Sequence, residues 1–406
     1  MDFSAALSKI LEIKSPWFIR EIDTHKGTKT INIFIDFERG TKFNCPNCEQ
    51  LCKVHDSSYR VWRHLDVMNY RCYLNVKIPR VKCERHRVLV IDNIPWGRIN
   101  IHYTHLFEQA VMKLVSEMSV SAAAKYVGEV DTTLWSIFHY QIAKARENQL
   151  DFSTTRRVCV DETAIKRGHN YVTIFSDADS GDIMFVTEGR TRETFGSFYQ
   201  ELYEHMGDPN YVKQFIMDMS KSYKAGWDDY FSHTEIIFDR FHIKKGLNEA
   251  VDKVRKSEVG EIEKLKKTKY LWLKNENDLN EIETRMLSEF VTDCNCKTLK
   301  AYNLKAGFDQ LWQVQIKAVE PLLKVWIEKA KQTYLEPIKT FINTINNNYK
   351  GVISSMKTGL NNGIAEGINS IVQLTKSRAR GFKNINNFIS MIYMLGNDFK
   401  FNNSTK

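Results

Sequence analysis

The hydrophobic rhythm of the chain changes twice. Between residues 28 and 38, Ile31, Ile33, Ile35 and Phe37 fall on alternate positions, the period-two pattern of a strand with one buried face. Strand-like runs follow around Tyr59–Trp62 and Tyr70–Ile78 and lead to the segment Val88–Trp96. From about Thr104 the spacing becomes three and four, with Leu106, Ala110, Leu114 and Met118 on one side of a helix. Ser121–Val127 predicts a short second helix, Gly128 a turn, and Asp131 a cap for a third helix running through Trp135, Ile142 and Lys144. Two short helices, a glycine turn and a third helix fit a helix-turn-helix, a pattern that any three-helix packing unit shares.

Near Arg157 short apolar strands return. Arg157–Val160 enters Asp161, Tyr171–Ser176 and Ile183–Val186 follow, and Asp179-Ser-Gly181-Asp supplies a hairpin turn between those two. Arg192–Met206 reads as a helix, Gln214–Met217 as a strand ending at Asp218, and Glu235–Phe238 as a strand ending at Asp239. Strands and helices in this order predict an α/β layer. Residues 243 to 350 are almost continuously helical in pattern, too long for one crossover, and read as a helical insertion. Gly359–Gly367 interrupts it, Glu366–Arg378 resumes as a helix, and Asn402–Lys406 reads as a frayed tail.

The 406 residues call for two to four domains. The boundaries expected from the pattern are 1–98, 99–150, 151–243, an insertion over 244–355, and 356–406, which returns to the α/β layer. No stretch reaches the roughly 18 apolar residues of a membrane span, and the N-terminus lacks a secretion signal. A cytoplasmic protein is expected. The net charge of +9 is modest, but its distribution is uneven: Lys53 to Arg87 holds nine basic side chains against Asp56, Asp66 and Glu84. Such an excess favours a polyanion, because each neutralised phosphate releases counterions.

Five of the eight cysteines lie in the first quarter of the chain. Without a secretion signal they read as metal ligands rather than disulfides. Cys45-x2-Cys48 and Cys83-x2-His86 form two knuckles, and two such pairs close a tetrahedral zinc shell. Cys52, His55 and Cys72 are alternative ligands. Among the acids, Asp161 and Asp218 are expected at the ends of strands facing a shared crevice, with Glu366 on a late helix. Clustered carboxylates are costly without a divalent cation between them, and two Mg²⁺ or Mn²⁺ ions so held serve in-line phosphoryl transfer. Asp239 ends a strand too and is a rival for the second position. Glu162 is expected to point away from Asp161 by strand alternation.

The motifs resemble those of insertion-sequence transposases of the ISL-three type over nearly the whole length. They are Cys45-Pro-Asn-Cys48, Trp62-Arg-His-Leu65, Pro79-Arg-Val-Lys-Cys83 with His86, Pro95-Trp96, Val160-Asp-Glu162, Lys166-Arg-Gly-His169-x-Tyr171 and Glu188-Gly-Arg190. Further along come Met217-Asp-Met219, Phe238-Asp-Arg-Phe-His242, Ala250-Val-Asp-Lys-Val-Arg255, Glu366-Gly-Ile-Asn369 and Arg378-Ala-Arg-Gly-Phe382. The departures are small, a glycine at Gly97 where alanine is expected and the extra thiol of Cys52.

The resemblance implies a multidomain α+β and α/β protein. Its parts are a β-rich zinc-binding N-terminal domain, a helix-turn-helix, and a ribonuclease-H-like domain with an all-helical insertion before its last acid. Asp161, Asp218 and Glu366 match the catalytic triad that holds two Mg²⁺ ions, and Cys45, Cys48, Cys83 and His86 hold one Zn²⁺. Asp239 and His242 become supporting or DNA-positioning residues. The implied partner is double-stranded DNA, both element ends and target, bound by a homodimer or larger assembly in the bacterial cytoplasm, at the nucleoid, with no membrane and no small-molecule substrate. Thr132, Thr133, Ser136 and His139 on the third helix, and Lys376, Arg378 and Arg380 after Glu366, are candidate DNA contacts.

Overall fold

The computed structural model describes residues 3–165, 171–293, 296–359, 363–379 and 381–401; the side chains of residues 3–6, 293, 363–366 and 369 lie outside that description. The motif Lys166–His169, Arg380 and the tail from Asn402 therefore fall outside the described residues. The chain divides into two compact units, one running through Ala145 and including the chain from Phe399, the other Arg146–Asp398.

In the first unit, helix α1 (Phe3–Ile10) precedes six strands: β1 (Trp17–His25), β2 (Thr30–Phe37), β3 (Lys42–Asn44), β4 (Leu51–Arg63), β5 (Arg71–Cys83) and β6 (Arg87–Val90). They form one sheet in the order β1-β2-β5-β4-β3, with β6 paired to β5. The β2–β5 pairing is parallel and the others are antiparallel. Alternation buries Ile33 and Ile35 from β2 with Leu74, Val76 and Ile78 from β5. Trp17 and Trp96 close this core edge to face at 5.0 Å. β4 and β5 extend well beyond their apolar runs, because two long antiparallel partners satisfy each other's backbone groups from Val54–Val81 to Arg63–Tyr73.

Helices α2 (His105–Glu117), α3 (Val120–Val127) and α4 (Asp131–Gln149) follow. Thr104 and Ser119 cap α2 and α3 through their hydroxyls, and Gly128 ends α3 at φ 71°, a left-handed conformation that suits glycine. Asp131 is the first residue of α4 rather than its cap. Glu108 on α2 is fully buried, pairs with Arg98, and accepts from Gln141 Nε2 of α4 at 2.7 Å. Removing it strands a part-buried guanidinium and a buried amide. Glu108→Ala is expected to destabilise the protein by about 3 kcal/mol, read as a lower midpoint in denaturant.

His64 is also buried, with Nδ1 2.9 Å from the Thr104 hydroxyl. Burial, helped by the charge of Arg63, lowers its pKa from 6.5 to about 4. The unfolded chain therefore takes up the proton first, and stability falls as pH drops from 6.5 toward 4. The stability difference between wild type and His64→Gln should shrink by about 2 kcal/mol on going from neutral pH to near pH 5, measured by urea unfolding at each pH.

The second unit is built on a five-stranded sheet of β7 (Arg157–Ala164), β8 (Tyr171–Asp177), β9 (Ile183–Glu188), β10 (Gln214–Met217) and β11 (Glu235–Phe238) in the order β11-β10-β7-β8-β9. β7, β8 and β9 form an antiparallel meander, while β10 and β11 run parallel to β7. Two helices link the meander to the parallel strands, α5 (Glu193–Glu204) before β10 and α6 (Lys221–Tyr230) between β10 and β11. They cover one face through buried Phe175, Phe195, Phe198 and Phe215, with Phe175 stacked on Phe198 at 4.3 Å.

The helical region begins with α7 (Arg240–Glu258) and continues through α8 (Lys269–Leu273), α9 (Glu281–Asp293), α10 (Lys297–Gln310), α11 (Ile316–Lys331), α12 (Glu336–Asn347) and α13 (Tyr349–Thr358). α13 returns to the sheet, where Gly351 lies so close to β11 that a Cβ would meet the Phe238 ring at 2.6 Å. α14 (Gly363–Ala379) packs on β7 and α15 (Ile385–Gly396) on β9. The Tyr393 hydroxyl accepts from the Val186 amide at 2.9 Å. No helix among the described residues is long and apolar enough to cross a membrane.

Candidate active site and metal centre

The acidic site is set by strand register. Ile216 pairs with Cys159, and Met217 pairs with Phe238. Continuing both ladders brings Asp218 level with Asp161 on one side and with Asp239 on the other. Alternation gives all three the same face. Cys159, Ile216 and Ile237 share a buried cluster on that face, and Asp161 lies two residues beyond Cys159. Burial pushes the Cys159 thiol up to about 12, and the charges of Asp161 and Asp239 add to the effect. Asp161 is not at a strand end as expected. β7 runs on to Ala164 because β8 continues to pair with it there, although its parallel pairing with β10 stops at Cys159.

The three aspartates are held differently. Asp161 Oδ1 accepts from the Glu162 amide at 2.8 Å, and Asp218 Oδ1 from the Met219 amide at 2.5 Å. The Asp218 side chain is one-third exposed. Asp239 is buried and occupied: Oδ1 accepts from the Phe241 amide at 2.8 Å as the cap of α7, and Oδ2 sits 2.6 Å from His242 Nδ1. The other ring nitrogen of His242 lies 3.9 Å from Asp218 Oδ2. The Asp239 hydrogen bond raises the His242 pKa against the opposing effect of burial, and the charges of Asp218, Asp239 and Asp161 add to the rise. Glu162 turns to the other face, as alternation requires, and pairs with Arg190 at 3.2 Å.

Glu366 lies on α14, and its side chain is outside the described residues. The same helix is anchored over the Asp161 face by Lys376, whose Nζ donates to Thr163 Oγ1 at 3.1 Å. Lys376 is thus half-buried against the sheet rather than extended into solvent as a phosphate contact would be, and burial lowers its pKa. Thr163 was not singled out by sequence, although the i, i+2 spacing from Asp161 on a strand marks it. Tyr223 of α6 was missed as well. It is fully buried and its hydroxyl is 3.0 Å from Thr173 Oγ1, on the Glu162 side of the sheet.

In the first unit the two knuckles converge. The ligand atoms of Cys45, Cys48, Cys83 and His86 all lie within 4.8 Å of one another. Cys48 Sγ is 3.7 Å from Cys83 Sγ, and His86 Nδ1 is 3.6 Å from both Cys45 Sγ and Cys83 Sγ. A tetrahedral zinc with Zn–S near 2.3 Å and Zn–N near 2.05 Å requires edges of about 3.8 and about 3.6 Å, so the donor set fits that ion. Burial opposes ionisation of Cys83, yet the amides of Arg85 and His86 and the side chains of His86 and Cys45 bring it down to about 6. Of the alternative ligands, Cys52 lies beside Cys83 but outside the four-atom set, and His55 and Cys72 are engaged elsewhere. Cys52 donates to Gln50 O at 3.3 Å, His55 pairs with Asp56, and Cys72 is buried with its thiol raised to about 11.

On α4, Thr132 and Ser136 are exposed one turn apart. Thr133 instead hydrogen-bonds the Tyr103 hydroxyl, and the His139 ring stacks on Trp135 at 5.6 Å. Arg378 is half-buried on α14.

The first unit thus carries a Cys3His donor set and a three-helix unit, and the second a mixed sheet with three aligned aspartates. The comparisons are specific. Residues 158–392 match a family model described as transposase, residues 41–86 the zinc-finger of transposase IS204/IS1001/IS1096/IS1165, and residues 93–142 the helix-turn-helix domain of transposase family ISL3. The chain belongs to the ISL3 family of transposases. It is 26% identical over 350 residues to the transposase for insertion sequence element IS1001 of Bordetella parapertussis, covering 84% of this chain and 85% of that one. It is 23% identical over 373 residues to the transposase for insertion sequence element IS1557 of Mycobacterium tuberculosis, covering 84% and 82%.

Proposed function

We propose that the protein cuts DNA at the ends of its own insertion sequence and joins the freed strands to target DNA, with Asp161, Asp218 and Glu366 as the catalytic acids. The observation that carries this is the alignment of Asp161 and Asp218 on one face of adjacent parallel strands, with α14 packed over that face. The 3-2-1-4-5 strand order, with an antiparallel meander and two parallel strands, supports a ribonuclease-H-like core interrupted by the helical insertion of residues 244–355. The five segments with boundaries at 98, 150, 243 and 355 remain the proposed domains.

Two Mg²⁺ or Mn²⁺ ions bound by these acids would activate the attacking oxygen and stabilise the leaving one. The protein's own part is placement. Strand backbone fixes Asp161, and the Met219 amide orients Asp218. Asp239 is committed to the α7 cap and to His242, which favours Asp218 as the second ligand. Holding Nδ1 of His242, Asp239 aims the other nitrogen toward Asp218 and the phosphate that would lie beside it. His242 and Asp239 thus act as positioning residues.

The Cys45, Cys48, Cys83, His86 set is proposed to hold one Zn²⁺ that pins β3, β4 and β5 together. The neighbouring basic strands and α4 would contact the terminal repeats, with Thr132 and Ser136 as base-reading candidates and Thr133 and His139 supporting them. Phosphate contacts would dominate affinity. Lys376 would steady α14, leaving Arg378 and Arg380 as its phosphate contacts. Bringing two ends together calls for a homodimer or larger assembly on DNA in the cytoplasm.

The test is an assay with duplexes carrying the element's ends, Mg²⁺ or Mn²⁺, and a plasmid target. Cleavage followed by end joining is expected. Cleavage without joining would make the protein a nuclease, and binding without cleavage a regulator.

A further inference from the structure

The helical region of the second unit contains two adjoining cavities beside α7. One, of about 410 Å³, is walled by Leu247 and Leu273, with Phe241 at its edge. The other, of about 320 Å³, is walled by Arg240, Tyr302 and Gln313. Both include Lys244, Asn275, Lys305 and Asp309 in their walls, so these residues form the junction.

The junction is built for an anionic guest. Lys305 is only 4% exposed, and its Nζ donates to the Lys274 carbonyl at 2.6 Å. An ammonium carries three N–H bonds, so this buried cation has donor capacity for an oxygen in the cavity. Lys244 is held by Asp309 at 2.6 Å, and Arg240 lies over the Trp312 ring at 5.2 Å. Asp309 offsets Lys244 at the junction, which leaves Lys305 as the cation with no carboxylate bonded to it among the described residues. Asp252 is tied to Arg255 and Lys256, while Glu249, Glu276 and Asp278 are exposed at the rim.

Two buried polar atoms also lack partners. The Tyr302 hydroxyl, on a side chain 4% exposed, and Asn248 Oδ1 have no hydrogen bond among the described residues. Buried polar groups call for a partner, which a guest in the cavity would supply. The mouth adjoins the acidic site: Phe241 is 60% exposed, and its ring centroid is 5.5 Å from that of His242, which approaches Asp218 at 3.9 Å.

We infer that this two-lobed cavity takes one unstacked nucleotide of the DNA strand beside the bond to be cut. The base lies in the lobe of Phe241, Leu247 and Leu273, and the phosphate lies against Lys244 and Lys305. An exposed aromatic ring at the mouth offers a stacking surface to any base, and a volume of this size suits a small ligand rather than a peptide. The inference rests on the reading of the acidic site as a DNA-cutting centre. A free mononucleotide shares the same chemistry, and the experiment separates the two.

Full-length protein, without divalent cation, is titrated with a duplex spanning the element's end. The duplex is either fully paired or carries an abasic site opposite one nucleotide at a time across the boundary. Prior unpairing removes part of the cost of extrusion, so at one position the unpaired duplex should bind about tenfold more tightly. Phe241→Ala, an exposed position, and Lys305→Met should each reduce that ratio to about threefold or less. No position with a preference, or a preference unchanged in Phe241→Ala, would overturn the inference. Saturable quenching of tryptophan fluorescence by dAMP that excess DNA end cannot displace would assign the cavity to a free nucleotide and overturn it equally. Because no cutting is read, a protein that binds ends without cleaving them can pass this test while failing strand transfer.

Discussion

Asp161→Ala is expected to lower strand cleavage by at least about 10³-fold while leaving end binding and folding intact. The magnitude follows from what a divalent cation contributes to the transition state, several kcal/mol, at about 1.4 kcal/mol per factor of ten in rate. Asp161 sits where the parallel ladder between β7 and β10 has just ended, on the face that α14 covers. No neighbouring acid can replace it, since Glu162 faces the opposite side and is engaged by Arg190. Stability should change little, because removing one of several clustered carboxylates relieves repulsion as well as losing the 2.8 Å hydrogen bond from the Glu162 amide. Gel-resolved cleavage, beside an electrophoretic mobility shift on the same end duplex, separates the two effects.

Cys48→Ala carries the second large effect. The four ligands join the β3–β4 knuckle to the turn after β5, and a structural zinc site contributes folding energy outright, about 10 kcal/mol or more in isolated fingers. Loss of one thiolate is expected to lower zinc content from one ion per chain to a small fraction, to destabilise the first unit, and to weaken binding of element ends by about 10²-fold or more. Prolonged chelation of wild-type protein should reproduce all three results. Cys52→Ala is the control: Cys52 bonds to Gln50 outside the four-ligand set, and its zinc content should stay at one. Metal analysis with thermal unfolding checks both variants. Full zinc occupancy in Cys48→Ala would mean that Cys52 is a ligand in its place.

Much of this is legible in the sequence. The strands Gln214–Met217 and Glu235–Phe238 are legible to the residue because each is a short apolar run stopped by an aspartate. The convergence of Cys45, Cys48, Cys83 and His86 is legible because two-residue Cys and His spacings leave few geometries that do not converge. The extent of β7 was not readable. Thr163 and Ala164 have no strong strand pattern and are held in the sheet by β8, a partner that only the fold supplies.

Long-range pairing hid other features in the same way. Lys376 reads as a candidate DNA contact on a helix, yet its partner is Thr163, more than two hundred residues away. Glu108 looks like an ordinary acid in an amphipathic helix, but the fold buries it between Arg98 and Gln141. The rivalry between Asp218 and Asp239 was open in sequence because both end a strand. Asp239 differs only in being followed by a helix whose first turn it caps and by His242 at i+3, which leaves Asp218 the more open carboxylate.

That difference offers the most direct test of the account. Cleavage and joining by Asp218→Ala, Asp239→Ala and Glu366→Ala should be measured beside wild type, with Mg²⁺ and with Mn²⁺, on the element's own ends. The expected result is no product from Asp218→Ala or Glu366→Ala in either metal, and reduced but measurable product from Asp239→Ala. Product from Asp218→Ala together with none from Asp239→Ala would contradict the assignment and move the second catalytic acid to the strand end of β11.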